Sequence, residues 1–570
     1  MSIVVAPPAH ARRPGGPRQS LVAIAHVRLV MLAALFGAGM LAIVIKLGVL
    51  ALSAAPAPPA DPAAGLRPAR GDIVDRNGKP LARTVDGWSI AIHPNQVIGN
   101  KAELAGKLAK LFPGRSEGQY YALLNSSARF AWLKRRAPAD VVRAANALGE
   151  PGIELMREPD RFYPQGTLAG QVLGFLDDKG RGAAGMEGVL NEQLLSAAGR
   201  DTPVPLSIDV RVQAALESEL SNAMTSLQAK GAAGVILDVD TGEIMALVSL
   251  PSFNPNAIAG PVPRNNMTQS VYELGSTFKP ISVANAIDTG VVTSMAHRLD
   301  ATKPLQVGRF TIHDDRSDAQ NRWLNIPETL IFSSNIATAR LADEVGAARQ
   351  QAMFRKLHFD KRPAIELPYA ARPLWPGYWA RTTVMTTAYG HGIAVTPLHL
   401  ATAYAALVNG GIWRPATLMR IAPGKAPRGE QVFSPATSAR MRQMLRLIVL
   451  YGTGKKGEAP GFRVGGKTGT AEVAQGGGYN RKSNVSTFAA AFPIDAPRYV
   501  VLAMLDSPIG NAETHGLTTA AWTAAPVVSR VVTRTGAILG VIPDASREID
   551  LRDVLPLVQG VADPLKAGSE

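Results

Sequence analysis

Three short motifs, far apart in this chain, make chemical sense only together, and any fold must bring them to one place. Ser276-Thr277-Phe278-Lys279 is the only Ser-x-x-Lys; Ser333-Ser334-Asn335 and Lys467-Thr468-Gly469 follow in that order. A serine hydroxyl is a poor nucleophile at neutral pH and requires a neighbouring base. Residues i and i+3 of a helix share a face, so Lys279 can bring an amine to Ser276. Gly275 permits a tight entry and Pro280 fits only a first turn, which puts Ser276 at a helix N-terminus. Backbone N–H groups there favour developing negative charge. Lys467 to Gly469 lies in an extended segment, Val464 to Val473, whose Gly465, Gly466 and Gly469 suit close approach of a substrate backbone. Alone, the Ser-x-x-Lys equally fits a surface capping serine beside an unrelated lysine, and Ser252-Phe253-Asn254 repeats the second pattern. The ordered set points to an acyl-transfer site for a substrate bearing a carboxylate.

The chain has 570 residues, 46% hydrophobic and 18% charged, enough for several domains with sizeable cores. It holds no cysteine, which excludes disulfides and thiolate metal sites, and its histidines lack zinc-ligand spacing. A net charge of +15 raises nucleic-acid binding as a first reading. No Lys/Arg run dominates any segment, however; the strongest bias is Arg12, Arg13, Arg18 and Arg28 near the start. These precede an apolar stretch, Leu29 to Leu52, broken only by Lys46 near its far end. As a helix it would span roughly 36 Å, enough to cross a bilayer, with Lys46 reaching the interface. The preceding arginines predict a cytoplasmic N-terminus, a tail over residues 1–28 and a transmembrane helix over 29–52. The alternative is a cleaved signal peptide, with Ala51-Leu52-Ser53 as a passable site; the length favours a retained anchor.

The Pro/Ala stretch Ala55 to Ala64 predicts a linker over residues 53–66. Arg70 to Gly78 reads as a strand entering a hairpin, with Asn77-Gly78 supplying positive φ. Helices are predicted over Lys101 to Phe112, Gln119 to Leu124 and Ala137 to Leu148, with Thr167 to Leu176 and Gly180 to Leu195 following, so residues 67–205 form a mixed α/β region. A second region covers residues 206–556. Asp209 caps a helix with apolar positions Val212, Leu216, Leu220, Met224 and Leu227. Val235 to Val239 and Glu243 to Ser249 form a hairpin around Asp240-Thr241-Gly242. Helices over Thr396 to Val408, Ser438 to Tyr451 and Thr518 to Thr535, with strands over Val485 to Phe492 and Tyr499 to Leu505, complete an α+β pattern. This is an antiparallel sheet covered by helices, ending in a loose tail at residues 557–570.

Other patterns carry less. Gly461 to Thr468 satisfies G-x-x-x-x-G-K-[ST], but Pro460 precedes it and Gly469 interrupts the helix that a phosphate loop needs. Gly452 to Gly457 matches G-x-G-x-x-G after a helix instead of a strand, and Gly114 to Gly118 matches G-x-S-x-G between helices; both read as turns. His313-Asp314 and His391 are imaginable triad partners, but nothing ties them to Ser276, and they read as structural.

At these residues the chain resembles the penicillin-binding proteins and serine β-lactamases. Arg70 to Gly78 resembles the opening motif of the class B penicillin-binding proteins, and Gly185-Met186-Glu187-Gly188 a later Gly-x-Glu element. Leu206 to Asp209, Leu250 to Asn256, Val395 to Pro397 and Gly466 to Glu472 are similar to further family segments, so the resemblance covers about residues 67–535. Ser333 to Asn335, Phe253-Asn254-Pro255 and Gly174-Phe175-Leu176 look more like the septal, cell-division form than the elongation form. Leu274 departs from the family's usual proline, and His391 stands where glutamine or tyrosine often sits between two glycines.

The resemblance implies the penicillin-binding and β-lactamase fold behind a class B pedestal or dimerisation domain. It implies a peptidoglycan D,D-transpeptidase that cross-links stem peptides during division, is acylated by β-lactams and uses no cofactor or metal. Lys279, unprotonated, would take the proton of Ser276, which attacks the carbonyl between two terminal D-alanines. Backbone N–H groups of Ser276 and Thr470 would hold the oxyanion. Ser333 would relay a proton to the departing D-alanine, and Asn335 would orient the substrate amide. Lys467 would supply positive potential, with Thr468, Gly469 and Thr470 binding the terminal carboxylate. Implied partners are peptidoglycan stem peptides, β-lactam antibiotics, the septal glycan polymerase and other division membrane proteins, but no nucleic acid. The implied location is the bacterial inner membrane, single-pass, with the catalytic domain periplasmic. Competing expectations are an elongation-type transpeptidase, a catalytically silent division scaffold and a β-lactamase. The last, in class A form, needs a Glu-x-x-x-Asn segment; none of Glu344, Glu366, Glu430 and Glu458 has asparagine four residues later.

Overall fold

A computed structural model describes residues 17–53, 69–258, 260–316, 318–475 and 478–559. The chain divides into two units, residues 1–66 and 67–570. The first contains helix α1 (Pro17–Ser53). Within it, His26–Val49 has a mean hydropathy of 2.3 over 24 residues and is long and apolar enough to cross a membrane. That is the predicted span shifted by one turn or less at each end. Arg12 and Arg13, residues 54–68 of the linker region and the tail beyond residue 559 lie outside the described residues.

The second unit opens with strands β1 (Ile73–Val74) and β2 (Pro80–Ile92), paired antiparallel. The turn between them is built on Asp75, whose carboxylate accepts from the backbone N–H of Asn77 and of Lys79, each at 2.8 Å. Only Gly78 is left-handed there, at φ +82°. Asn77 was expected to share that role; instead it bonds outward, its amide donating to Asp209 at 2.9 Å. Helices α2 (Lys101–Leu111) and α3 (Glu117–Leu124) start on Asn100 and Ser116. Ser116 and Gln119 form a reciprocal capping box, so the apparent nucleophile elbow is a helix start.

The predicted helix over Ala137 to Leu148 is shorter than expected. Its first residue ends strand β3 (Ala131–Ala137), and the helix itself, α4, runs Ala139–Asn146. β3 and β4 (Ile153–Phe162) both pair with β2, and neither was expected from the sequence. Their residues are mostly half-exposed and interleaved with Lys, Arg, Glu and Asp, so no clean two-residue hydrophobic period marks them. Under this sheet lies a buried ion cluster. Glu187 receives the Arg70 guanidinium at 2.9 Å and the Arg161 guanidinium at 2.6 Å, and all three side chains are almost wholly buried.

Strand β5 (Val204–Pro205) pairs parallel to β1 and delivers the chain to helix α5 (Val210–Ser226), capped by Asp209 as expected. Asp75 also accepts from the Val210 N–H at 3.1 Å, so the opening hairpin and the start of α5 share one acidic hub. Five antiparallel strands then form the main sheet. They are β6 (Gly231–Asp238), β7 (Ile244–Leu250), β8 (Gly465–Gln475), β9 (Gly478–Phe492) and β10 (Tyr499–Asp506), in the order β8-β9-β10-β6-β7. Successive residues face opposite sides. In β10, Val500, Leu502 and Met504 join one core, while Val501, Ala503 and Leu505 join the other.

Both faces are therefore covered, and the central strands read as continuous apolar runs. One face packs helices α6 (Lys279–Asp288), α7 (Ile326–Ile331), α8 (Asn335–Val345), α9 (Pro397–Val408) and α10 (Pro435–Tyr451); the other packs α5 and α11 (Ala524–Thr535). The expected α11 began six residues earlier, at Thr518, where the chain instead makes turns.

Truncating Glu187→Ala leaves two buried guanidinium groups without their shared carboxylate. The expected loss is about 3–5 kcal/mol, read by denaturant unfolding. A loss under about 1 kcal/mol would contradict the described cluster.

Candidate active site

Residues Gly275–Phe278 form one 3₁₀ turn that runs straight into α6. The Lys279 N–H donates to the Ser276 carbonyl, and side chains three apart eclipse in such a turn, so Ser276 and Lys279 share a face. Gly275 enters left-handed at φ +56° and Pro280 occupies the first helical turn, as the sequence required. Two further bonds fix the turn: Thr277 Oγ1 donates to the Leu274 carbonyl at 2.8 Å, and the buried Tyr404 hydroxyl to the Thr277 carbonyl at 2.9 Å. Ser276 is half-exposed while Lys279 is wholly buried.

Lys279 Nζ donates to the Ser333 carbonyl oxygen and, at 3.1 Å, to Ser333 Oγ. The first and second motifs therefore meet through this amine. Burial drives the Lys279 pKa down from its ordinary value to about 7, against the opposing pull of Asp314, Asp318 and Asp315. A lysine so placed holds a substantial neutral fraction at physiological pH, the state a general base needs. Ser333 sits left-handed, at φ +54°, where α7 gives way to α8. Ser334 caps α8, and Asn335, its first residue, donates from Nδ2 to the His313 carbonyl at 3.0 Å. Asp314 accepts from Ser334 Oγ at 2.8 Å and from the Ile336 N–H at 2.9 Å.

The third motif lies in β8, an edge strand of the main sheet, with Lys467 opposite Ala489 and Thr470 opposite Ser486. A strand at the lysine excludes the phosphate-loop reading, which needs a helix there. Lys467 is wholly buried; its Nζ donates to the Thr468 carbonyl at 3.1 Å and to the hydroxyls of Thr468 and Thr453 at 3.3 Å. Burial first, then the Lys279 charge, pushes its pKa well below the ordinary lysine value. Two buried amines within each other's field cannot both carry a proton cheaply. Thr470 Oγ1 accepts from the Ala520 N–H at 3.0 Å, which leaves its own hydrogen to donate.

The strand packs tightly on the turn that carries Ser276. A Cβ on Gly469 would lie 2.4 Å from the Leu274 carbonyl oxygen and 2.7 Å from Thr277 Cγ2, and one on Gly275 would lie 3.0 Å from the Thr470 carbonyl oxygen. Gly465 and Gly466 likewise make room for Ile494 and Ala490. Gly465, Gly466 and Gly469 were expected to admit a substrate backbone; the space their side chains would take is filled by protein instead.

Two residues were overlooked. Thr453, in the stretch that mimics G-x-G-x-x-G, shares a 2.6 Å hydrogen bond with Thr468 just past the C-terminus of α10. Asp314, weighed only as a triad partner of histidine, instead binds the start of α8. No spacing in the sequence signals either contact. His391 lies in a Gly390–Gly392 loop packed on Gly275, where Gly392 N–H donates to Glu273 at 2.9 Å. Burial, chiefly, lowers its pKa.

Comparison with known proteins agrees with this geometry. Residues 232–529 match the family described as penicillin binding protein transpeptidase domain, and residues 66–200 the one described as penicillin-binding protein dimerisation domain. The probable peptidoglycan D,D-transpeptidase FtsI of Caulobacter vibrioides is 42% identical over 492 residues, covering 84% of this chain and 83% of that one. The peptidoglycan D,D-transpeptidase FtsI of Escherichia coli K12 is 27% identical over 511 residues, covering 84% of each. Among solved structures, penicillin-binding protein 3 of Mycobacterium tuberculosis, complexed with aztreonam, has a TM-score of 0.65 at 25% identity, covering 84% of this chain and 98% of that one.

A Gly469→Ala variant tests the packing of strand on turn. Its methyl group must push β8 away from the Leu274 carbonyl, and displacement of this size lowers acylation of the serine by about 10- to 100-fold. The rate of labelling by a fluorescent penicillin measures it; an unchanged rate would refute the close contact.

Proposed function

This chain belongs to the penicillin-binding protein transpeptidases, as an FtsI-like class B member and a peptidoglycan D,D-transpeptidase, and we propose that its cross-linking chemistry runs through Ser276. The observation that carries this reading is the buried Lys279 amine one turn from Ser276, bound to Ser333 and held near neutrality.

In the first half-reaction the neutral Lys279 amine takes the Ser276 proton as Oγ attacks the carbonyl between two terminal D-alanines. Backbone N–H groups of Ser276, at the start of its turn, and of Thr470, on the edge strand, receive the oxyanion. Collapse breaks the peptide bond, and the departing D-alanine leaves as an amine after a proton reaches it through Ser333. The acyl-enzyme is then attacked by the amine of a second stem peptide, whose surplus proton returns through the same groups to Ser276. Asn335 orients the donor amide. The free edge of β8 suits an extended peptide added as a further strand.

Thr468 and Thr470 bind the terminal carboxylate beside Lys467. The motif alone suggests a standing positive charge at Lys467, whereas burial and the Lys279 charge both work against it. A substrate carboxylate supplies the missing counter-charge, so binding favours the ammonium at Lys467 and, through repulsion, the neutral amine at Lys279. β-Lactams acylate the same serine. Thr453, hydrogen-bonded to Thr468 and Lys467, orients this end of the groove.

Residues 67–205 serve as pedestal and residues 206–556 as catalytic domain. The apolar α1 helix fits a single-pass membrane anchor; we place its N-terminus in the cytoplasm and the catalytic domain in the periplasm, on the arginines before the span. The septal glycan polymerase is the proposed membrane partner, on the strength of the septal motif variants. With relatives bearing the cell-division name, the septal role is favoured over an elongation-type or silent protein.

Fluorescent penicillin is expected to label the wild type, with the adduct mapping to Ser276, and to leave Ser276→Ala unlabelled. The acylation rate rises with pH through a midpoint of about 7, because the neutral form of Lys279 grows as pH passes its folded pKa. An unlabelled wild type, or a rate flat across that range, would end this reading. For topology, the cysteine-free chain allows single reporters: an impermeant maleimide should reach Asn125→Cys in spheroplasts and Ser2→Cys only after lysis, the reverse pattern contradicting the orientation.

A further inference from the structure

The second motif turns on a corner that its own residues hold only in part. Ser333 is a non-glycine residue in left-handed backbone, a strained state that persists only when its surroundings impose it. Backbone bonds account for part of this: Ser333 and Ser334 N–H groups return to the carbonyls of Leu330 and Thr329. The other side of the corner is gripped by a loop that lies between the short strands Phe310–Ile312 and Trp323–Asn325. Asp314 reaches from it with both carboxylate oxygens, one on Ser334 Oγ and one on the Ile336 N–H. Its neighbour His313 offers the carbonyl that takes Asn335 Nδ2. A carboxylate at the first turn of a helix also meets the favourable end of the helix dipole.

We propose that Asp314 is a positioning residue for the acylation step: its carboxylate clamps Ser334 and the first turn of α8, and thereby fixes Ser333 against the Lys279 amine. The inference rests on the Ser276 acyl-enzyme reading above. It also gives this residue an electrostatic part. The charged and titratable groups facing Lys279 are Asp314, Asp315 and Asp318 from the loop, Lys467 from β8 and His391 from the Gly390–Gly392 loop. Among the charges, Asp314 pulls hardest towards the ammonium, countering the burial that drives the proton off. The clamp therefore sets both where the base sits and at what pH it works.

Two substitutions separate these parts in the full-length protein in detergent, with fluorescent penicillin as the probe and the acylation rate followed from about pH 5 to about pH 10. Asp314→Asn removes the charge and keeps the shape and both contacts, its Oδ1 accepting from the Ile336 N–H and its Nδ2 donating to Ser334 Oγ, which reverses that one bond without breaking it. Without the nearby anion Lys279 loses its proton at lower pH, so the midpoint of the rising limb moves down by about half a unit to one unit, while the plateau stays within about threefold. Asp314→Ala loses both bonds, and its plateau falls about tenfold or more with Ser276 still the labelled residue. Asp314→Glu, which restores the charge, returns the midpoint to the wild-type value. A midpoint unmoved in Asp314→Asn, or an Asp314→Ala plateau within about twofold of wild type, overturns the proposal. Should Asp314→Ala fail to fold by its thermal melt, Ser334→Ala removes one of the two bonds instead, and an unchanged plateau there overturns it equally. A wild type that does not label at Ser276 is a different failure: it removes the acyl-enzyme reading and this inference with it.

Discussion

One buried amine organises this molecule. Among the described residues, Lys279 has no carboxylate partner in direct contact; it is held by a carbonyl and a hydroxyl, both from Ser333, with Asp314, Asp318 and Asp315 acting from farther away. Burying a charge without close pairing is expensive, and a lysine relieves that expense by giving up its proton. The site exploits this. The same desolvation that makes Lys279 a poor cation favours its neutral amine, the form that the proposed mechanism asks of a base. The turn at Ser276 meets the corner at Ser333 through that amine, and the edge strand at Lys467 through close backbone packing at Gly469 and Gly275.

The packing that enforces this is mostly backbone against backbone. Gly469 and Gly275 let β8 and the Ser276 turn approach to a distance at which a single methyl group would collide with a carbonyl. Tyr404 reaches in from α9 to hold the Thr277 carbonyl, and Asp314 reaches in from a loop to hold α8. Behind them stands a sheet buried on both faces, stiff because its alternate residues belong to two separate cores. Rigid elements of this kind position reacting groups more finely than loops can, and the three motifs are all placed on or against such elements.

Much of this was legible from residue order. Asp209 announced its helix by capping, and Gly242 marked the hairpin between β6 and β7, because each of these signals is local. Pro280 and Gly275 located the start of α6 for the same reason. The strands β3 and β4 escaped because their side chains are half-exposed and carry charge, which erases the hydrophobic period. The purpose of the glycines near Lys467 was misassigned: sequence shows that a side chain is missing, not what fills the gap. Asp314 and Thr453 were invisible as site residues because their importance comes only from contacts across long stretches of chain. The charge state of Lys467 was also beyond reach, since it depends on burial and on a second amine that only the fold brings near.

The most direct measurement is the titration of the Lys279 ε-amine itself, by NMR of lysine labelled at Cε, with Lys279→Arg to assign the signal. The account predicts a midpoint near 7, the value burial imposes on this side chain. A midpoint within about one unit of the ordinary lysine value of about 10.4 would contradict it, because the amine would then be a cation throughout the working range and could not serve as the base for Ser276.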